Sequence, residues 1–226
     1  MIKKIIILLL NVFNKSLFLF NKNIVAPKTH FKFFWCHVNN NNLINLENCF
    51  VDRTKIYIDG FENKFFARES FLFNTKITID GKGNTIEIKK GVKLRNGLIQ
   101  IRGSNCKIII NEGTSFGQIR MVNVGKNNNI VIGKNNLFAD DIEIWASDTH
   151  SIFDENNNFI NQEKPVFIGD YVWVGNHVRI LKGVTIGNGA IIGMNSVVTK
   201  SILPKTLNVG VPTKIIRENV TWDINY

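Results

Sequence analysis

Paired cysteines are absent from this 226-residue sequence, which has only Cys36, Cys49 and Cys106 and no CxxC motif. An odd number of thiols without paired spacing indicates a reducing compartment and argues against a disulfide framework or a zinc site. We therefore expect a cytoplasmic protein without a metal ion. The sequence also lacks RNP, zinc-finger and helix-turn-helix signatures, so nucleic acid is not expected as a partner.

A long apolar run is missing as well. The N-terminal run Ile5–Leu10 has six residues and is interrupted by Asn11, whereas a membrane span needs roughly 20. No small-residue cleavage site follows it, which argues against a secretory signal. Apolar residues recur at helical spacing through residues 1–23, with lysines between them. We expect a short hydrophobic helix there, either packed on the fold or a partner subunit, or in peripheral contact with the inner face of a membrane.

Acidic side chains are scarce relative to basic ones. The 18 Asp and Glu residues face 28 Lys and Arg residues, which gives a formal net charge of +10. A basic surface favours an acidic partner, such as a polyanionic glycan, anionic lipid or a phosphate-bearing cofactor.

The sequence does contain a strict repeat of six residues. Every sixth residue from Ile168 is aliphatic, and a small or aliphatic residue follows four positions after each. The first set is Ile168, Val174, Ile180, Ile186, Ile192 and Val198, and the second is Val172, Val178, Val184, Ala190, Ser196 and Ile202. Each unit forms a short strand and a tight corner, with the aliphatic residues inside and Gly or Asn where the backbone turns with positive φ. Three units make one triangular coil.

A second repeat of 22 residues lies upstream, where similar segments begin at Gly81, Gly103 and Gly125. Fainter echoes pair Phe66 with Leu72 and Ile44 with Phe50, and we interpret the four additional residues as one longer corner per coil. The predicted coils run over 40–203. They follow an extension at 1–39 and precede a C-terminal segment at 204–226. An antiparallel sandwich, the alternative fold, explains neither repeat.

The six-residue run resembles the hexapeptide-repeat family, whose members form left-handed parallel β-helices. The resemblance implies an all-β fold of this kind, and the handedness comes from it alone. The repeat breaks at 147–165, which we interpret as a loop extruded from the shaft, and such loops usually carry function.

The segment from this loop to Arg217 resembles maltose, galactoside and capsule O-acetyltransferases. In these enzymes a histidine of the loop is the general base, and His150 matches that position. A neutral imidazole suits the removal of a proton from a sugar hydroxyl. The acidic residue that orients it stays open among four candidates: Asp141, Glu143, Asp148 and Asp154. His30 and His37 are expected to be structural, and His177 is expected at a corner or facing outward.

Two tryptophans are candidates for stacking. Alternation points Trp173 outward because it precedes a core residue, and related acetyltransferases carry a Trp at this place beside the catalytic His. We therefore assign Trp173 to the catalytic site. Trp145 also faces outward near the loop, and we assign it with Asp148 to substrate binding.

The donor site is expected beside the last coils, where small residues leave room for the pantetheine arm of acetyl-CoA. The backbone amide of Gly175 or Asn176 is a candidate oxyanion donor. The segment at 209–217 resembles one that lies against the adenine end of CoA in this family, and cations suit the phosphates. The predicted donor-binding residues are Gly175, Asn176, Gly193, Lys200, Pro212, Lys214 and Arg217.

The resemblance implies a homotrimer with active sites between subunits. The sequence therefore predicts an acetyl-CoA-dependent O-acetyltransferase acting on a bacterial surface glycan, capsule or lipopolysaccharide, with the net charge favouring an acidic polymer such as one of sialic acid. An N-acetyltransferase of a nucleotide-activated aminosugar or another small acceptor is the enzymatic alternative. A non-catalytic β-helix scaffold is the other. A γ-class carbonic anhydrase is disfavoured, because only His150 and His177 lie in the clear repeats.

Overall fold

The computed structural model describes residues 23–39 and 41–224. Their strands, in chain order, are β1 (Ile24–Val25), β2 (His30–Lys32), β3 (Trp35–Val38), β4 (Leu43–Glu47), β5 (Phe50–Asp52), β6 (Lys55–Ile58), β7 (Lys64–Arg68), β8 (Phe71–Phe73), β9 (Lys76–Lys82), β10 (Thr85–Ile88), β11 (Lys93–Arg95), β12 (Gly97–Ser104), β13 (Lys107–Ile110), β14 (Ser115–Phe116), β15 (Ile119–Lys126), β16 (Asn129–Ile132), β17 (Leu137–Phe138), β18 (Ile142–Trp145), β19 (Val166–Ile168), β20 (Trp173–Val174), β21 (Arg179–Ile180), β22 (Thr185–Ile186), β23 (Ile191–Ile192), β24 (Val197–Val198), β25 (Thr206–Gly210) and β26 (Thr213–Glu218). The helix predicted over residues 1–23 falls almost entirely outside the described residues.

These strands stack into a parallel β-helix, as predicted. The first sheet runs from β1 to β22 and the third from β3 to β24, with eight strands each, and the second runs from β2 to β26 with ten. This gives about eight coils around one core. We refer to the prism edges as corner 1–2, corner 2–3 and corner 3–1, after the sheets that they join.

The core consists of inward ladders, and the six-residue repeat is confirmed. The six aliphatic positions from Ile168 to Val198 are at most 3% exposed, and their partners from Val172 to Ser196 are at most 1% exposed. Larger side chains fill the upstream coils, where the Phe116 and Phe138 rings stack at 4.7 Å between centroids. One continuous core therefore supports every coil.

The upstream coils differ from the prediction in how they hold their additional residues. The repeat is 22 residues from Ile86 to Ile108 but 21 from Phe65 to Ile86, so the expected echo at Phe66 is wrong by one position and Phe65 faces inward instead. Phe50 likewise faces outward. Longer strands, such as the eight-residue β12 and β15, take up additional residues. No single corner holds them all.

The shaft begins earlier and ends later than the sequence indicated. The first coil starts at Ile24, inside the predicted extension, and places His30 and His37 on strands. At the other end β25 continues the second sheet, and β26 returns beside it as the antiparallel partner. Residues 23–39 and 41–224 contain no helix that is long and apolar enough to span a membrane.

The corners explain two different uses of small residues. Positive φ occurs at Tyr171, His177 and Asn195, two positions after the repeat's glycines, so the turn is not restricted to Gly and Asn as we expected. Gly175 is small for another reason: a Cβ there would lie 2.8 Å from the Met194 backbone nitrogen. Glycine at this place permits the next coil to approach.

Candidate active site

The extruded loop stands at corner 3–1, because it leaves the third sheet after β18 and re-enters the first sheet at β19. Its two arms form a small antiparallel bridge between Phe153 and Phe159, whose ring centroids lie 5.9 Å apart. Asp154 closes the tip by accepting hydrogen bonds from Asn156 and Asn158. The Asn158 bonds hold the pKa of Asp154 below its usual value. The loop is therefore an ordered hairpin.

A lysine of the following coil fastens the base of this loop. Lys182 donates to the Asp148 carboxylate and to the carbonyl oxygens of Asn161 and Gln162, at 2.9 and 3.1 Å. Partial burial would raise the pKa of Asp148, but hydrogen bonds from Lys182 and Asn161 lower it overall. The sequence did not single out Lys182; its position at the next corner was the available signal. The assignment of Asp148 to substrate binding stays a prediction, beside this structural bond.

His150 lies on the exposed side of the loop. Its carbonyl oxygen accepts from Asn161 Nδ2 at 2.9 Å, which fixes the backbone, while its imidazole has no hydrogen-bond partner within residues 23–39 and 41–224. The four acidic candidates bind elsewhere: Asp148 to Lys182, Asp154 to the loop tip, Asp141 to His177 and Glu143 to Trp145. None of them orients the His150 ring within the described chain.

A second imidazole does have an acidic partner. His177 Nδ1 lies 3.1 Å from Asp141 Oδ2 at corner 2–3, and Gln118 Nε2 donates to the other carboxylate oxygen at 3.0 Å. A carboxylate that holds an imidazole in this way is a common arrangement at catalytic sites. The pair occupies a different edge of the prism from His150, so the two histidines do not form one site within a protomer.

Trp173 points outward from the second sheet, as alternation predicted, and is 40% exposed. Its neighbours in register are Leu137 and Ile191, and the ring of Trp222 approaches to 6.2 Å between centroids. The second sheet and corner 3–1 are different parts of the surface, so one chain does not place Trp173 on the same face as His150.

Trp145 is less accessible than the sequence indicated. Its Nε1 donates to Glu143 at 2.7 Å, and the Arg120 guanidinium lies 4.7 Å from the ring centroid. One face of the indole is therefore covered by a cation, and its assignment to substrate binding stays a prediction for the other face.

The predicted donor-binding residues surround the C-terminal end of the shaft. Lys200 is exposed at corner 3–1 of the last coil, Lys214 and Arg217 are exposed on β26, and Pro212 follows a cis peptide bond between these elements. Arg217 pairs with Leu207, which pairs with Ile191. At about 4.8 Å per strand, Arg217 and Trp173 lie about 14 Å apart along one sheet.

The amides in this region are partly committed. The Gly175 amide donates to the Ile192 carbonyl oxygen at 2.8 Å, and the Gly193 amide donates to Asn208 at 2.9 Å. The expectation that Gly175 supplies an oxyanion donor is therefore wrong, because coil-to-coil pairing uses its N–H. Asn176 remains the candidate from the sequence.

The three cysteines lie along the shaft and not at the loop. Burial raises the pKa of Cys36 to about 11 and raises those of Cys49 and Cys106 as well. A protonated buried thiol is a poor nucleophile. The loop chemistry therefore has to proceed without a thiolate from this chain.

Comparison with known proteins places this geometry in context. Residues 165–200 match the model of the bacterial transferase hexapeptide family, which has six repeats. Polysialic acid O-acetyltransferase of Escherichia coli O1:K1 / APEC is 35% identical over 138 residues, or 61% of this chain. The match spans only 44% of that relative's length. A Staphylococcus aureus (strain COL) protein named "Putative acetyltransferase SACOL2570" is 35% identical over 143 residues, covering 57% of this chain and 70% of the relative.

Two solved structures share the architecture over most of the chain. The polySia-specific acetyltransferase NeuO superposes with a TM-score of 0.68 at 29% identity, covering 88% of this chain and 81% of NeuO. The polysialic acid O-acetyltransferase OatWY gives 0.62 at 26% identity, covering 88% and 91%. The likeness thus extends upstream of the hexapeptide run into the longer coils.

Proposed function

The chain belongs to the hexapeptide-repeat acetyltransferase family, and from that premise we propose that it transfers an acetyl group from acetyl-CoA to a hydroxyl of an acidic bacterial surface glycan. The observation that carries this proposal is the similarity, in sequence and over nearly the whole shaft, to acetyltransferases named for polysialic acid. The net charge of +10 supports an acidic acceptor. A sialic-acid polymer of a capsule or lipopolysaccharide is the acceptor that we favour.

His150 is the general base of the proposed reaction. It removes the proton of the acceptor hydroxyl while that oxygen attacks the thioester carbonyl carbon, which forms a tetrahedral oxyanion. Collapse of this intermediate breaks the C–S bond, and the coenzyme A sulfur leaves with the proton that His150 returns. Direct attack fits a chain whose thiols are buried and have raised pKa values, since the thioester already supplies an activated acyl group.

The active site is proposed to form between the subunits of a homotrimer. Within one chain His150 and Trp173 lie on different parts of the prism, and the imidazole lacks an acidic partner among the described residues. A neighbouring shaft would supply both a stacking surface and the wall of the pantetheine channel. Asn176, Gly193, Lys200, Pro212, Lys214 and Arg217 are the residues proposed to contact acetyl-CoA. We further propose a cytoplasmic location, with residues 1–23 in peripheral contact with the membrane.

The test is transfer of labelled acetyl groups from acetyl-CoA to a panel containing oligosialic acid, a uronic-acid polymer, a neutral glucan and an aminosugar nucleotide. We expect label on the acidic glycans, and loss of at least about 100-fold in kcat for His150→Ala. His30→Ala is the matched control, because His30 is an exposed histidine of the first coil. Equal transfer by His150→Ala removes the assigned base, and label on the aminosugar alone overturns the proposed acceptor.

A further inference from the structure

The C-terminal tail follows one edge of the prism. After β26 the Val220 amide donates to the Lys205 carbonyl oxygen at 3.0 Å, and Trp222 Nε1 donates to the Tyr171 carbonyl oxygen at 2.7 Å. Lys205 and Tyr171 both lie at corner 1–2, two coils apart. Residues 219–224 therefore run along this corner back toward the upstream coils. No role for this tail was predicted from the sequence.

The tail brings a third aromatic ring to the surface beside Trp173. The Trp222 and Trp173 rings lie 6.2 Å apart with their planes inclined by 42°, and the Tyr171 side chain next to them is 59% exposed. The hydrogen bond of the Trp222 indole to the Tyr171 backbone fixes its orientation. Exposed aromatic side chains held in this way form stacking surfaces for the apolar face of a ligand ring.

Trp222 separates two clefts along corner 1–2. The cleft toward the C-terminal end has a volume of about 410 Å³, and the cleft on the upstream side about 350 Å³, which are sizes typical of small-molecule sites. The first is lined by Asp170, Tyr171, Asn188, Gly189, Lys205 and the tail residues. The two clefts share Tyr171 and Trp222, so a ligand with several units can occupy both.

The polar groups of the larger cleft define the chemistry of its ligand. Lys205 forms no ion pair within the described chain, so its ammonium group is available to a carboxylate. The Asn188 side-chain oxygen accepts from the Asp170 amide at 2.9 Å, which leaves the Asn188 NH₂ group to donate. The Asp170 carboxylate can accept from hydroxyls but would repel a diphosphate. One cation, an amide and a carboxylate beside aromatic rings fit an acidic sugar better than a nucleotide.

We propose that Trp222, Tyr171 and Lys205 form a subsite that binds one acidic pyranose unit of the acceptor, adjacent to the unit held at Trp173. The ring stacks on Trp222 and Tyr171, its carboxylate pairs with Lys205, and its hydroxyls bond to Asn188 and Asp170. This inference rests on the proposed function, because it concerns the same glycan acceptor. It makes the C-terminal tail a specificity element for a polymeric acidic acceptor.

The test is calorimetric binding of an oligosialic acid, a maltooligosaccharide and acetyl-CoA to the full chain carrying His150→Ala, which prevents turnover. We expect Trp222→Ala to weaken oligosialic acid binding about tenfold, a loss typical of one aromatic stacking contact. Trp222→Phe should lose less. Lys205→Gln should weaken oligosialic acid binding and reduce its salt dependence, while acetyl-CoA affinity stays unchanged. Trp35→Ala is the matched control, since Trp35 is an exposed tryptophan of the first coil.

Two outcomes overturn the inference: unchanged oligosialic acid affinity in Trp222→Ala, or a loss confined to acetyl-CoA, which would assign the cleft to the donor. Thermal unfolding within a few degrees of the parent shows that each variant folds. The acceptor KM of the otherwise unsubstituted Trp222→Ala chain separates this inference from the proposed function. If the chain acetylates oligosialic acid with an unchanged KM in that variant, the subsite alone fails, whereas absent acetylation by the unsubstituted chain contradicts the proposed function.

Discussion

Lys182 on one coil pairs with Asp148 at the base of the loop that leaves the coil before it. The same ammonium group reaches the carbonyl oxygens of Asn161 and Gln162 on the returning arm. A single side chain, 19% exposed, therefore joins both arms of the loop to the shaft. Since Asn161 also holds the His150 backbone, the position of the proposed base depends on this lysine.

Replacement of Lys182 should impair catalysis without unfolding the shaft. We expect Lys182→Met to lower kcat/KM by about 10- to 100-fold, since small displacements of a catalytic group cost this much. Lys182→Arg should retain more activity than Lys182→Met because it keeps the charge. Steady-state kinetics with the best acceptor checks this, with Lys107→Met as the control for loss of an exposed lysine. A Lys182→Met enzyme with full activity would show that the bond does not position His150.

The stability contributed by Asp148 should depend on pH. Because its pKa is lower in the folded protein than its ordinary value of 3.8, the carboxylate stabilises the fold above pH 3.8 and this contribution is lost as pH falls through the lower, folded value. The difference in Tm between the parent and Asp148→Asn should therefore be constant from about pH 5 to 7 and shrink below 3.8. Thermal melts across this range, with Asp80→Asn for comparison, would reveal a pH-independent difference if the bond is unimportant.

His177 tests whether an imidazole with an acidic partner takes part in catalysis. Its φ of 60° lies in the left-handed region, which Asn and Gly adopt more easily than branched residues. We expect His177→Asn to keep both fold and activity, and His177→Val to lose about 1–2 kcal/mol of stability. Chemical denaturation and kcat measure the two effects. A large fall in kcat for a stable His177→Asn protein would transfer the role of base to this residue.

The stacked glycines of the upstream coils should tolerate no side chain. A Cβ on Gly103 would lie within van der Waals overlap of the Gly125 carbonyl oxygen, whereas one on Gly91 would find its nearest atom at 3.5 Å. Both residues have positive φ, so the pair separates close approach from backbone strain. We expect Gly103→Ala to cost about 1–3 kcal/mol, more than Gly91→Ala. Equal denaturation midpoints for the two variants would contradict this account.

The sequence predicts the coil well where each inward position is decided locally. Val174 and Ile180 occupy equivalent places in the same ladder, because any aliphatic side chain satisfies a position that alternation alone directs inward. The register upstream is less certain from sequence because Phe65 and Phe66 are both apolar, and only the 21-residue repeat of that coil places Phe65 inside. The position of the first coil was missed because its residues carry no hexapeptide pattern.

The site is harder to predict because its contacts join residues that are distant in the chain. The loop and His150 stand out through the broken repeat, but Lys182 lies 34 residues from Asp148 and Trp222 lies 51 from Tyr171. The Asp141 and His177 pair likewise depends on which residues share a corner. The Gly175 amide illustrates the reverse error, since a residue in the right place has its N–H committed to the next coil.

The glycine column of the upstream coils has a consequence for how such a shaft can grow. Gly81, Gly103 and Gly125 occupy equivalent places in successive coils and pair with one another in register. A duplicated segment of 22 residues, the repeat that joins Ile86 to Ile108, would present the same upper and lower surfaces as the coil that it copies. The molecule can therefore be lengthened by about 4.8 Å per insertion, which moves its N-terminal end outward while the chemistry at the other end keeps its geometry.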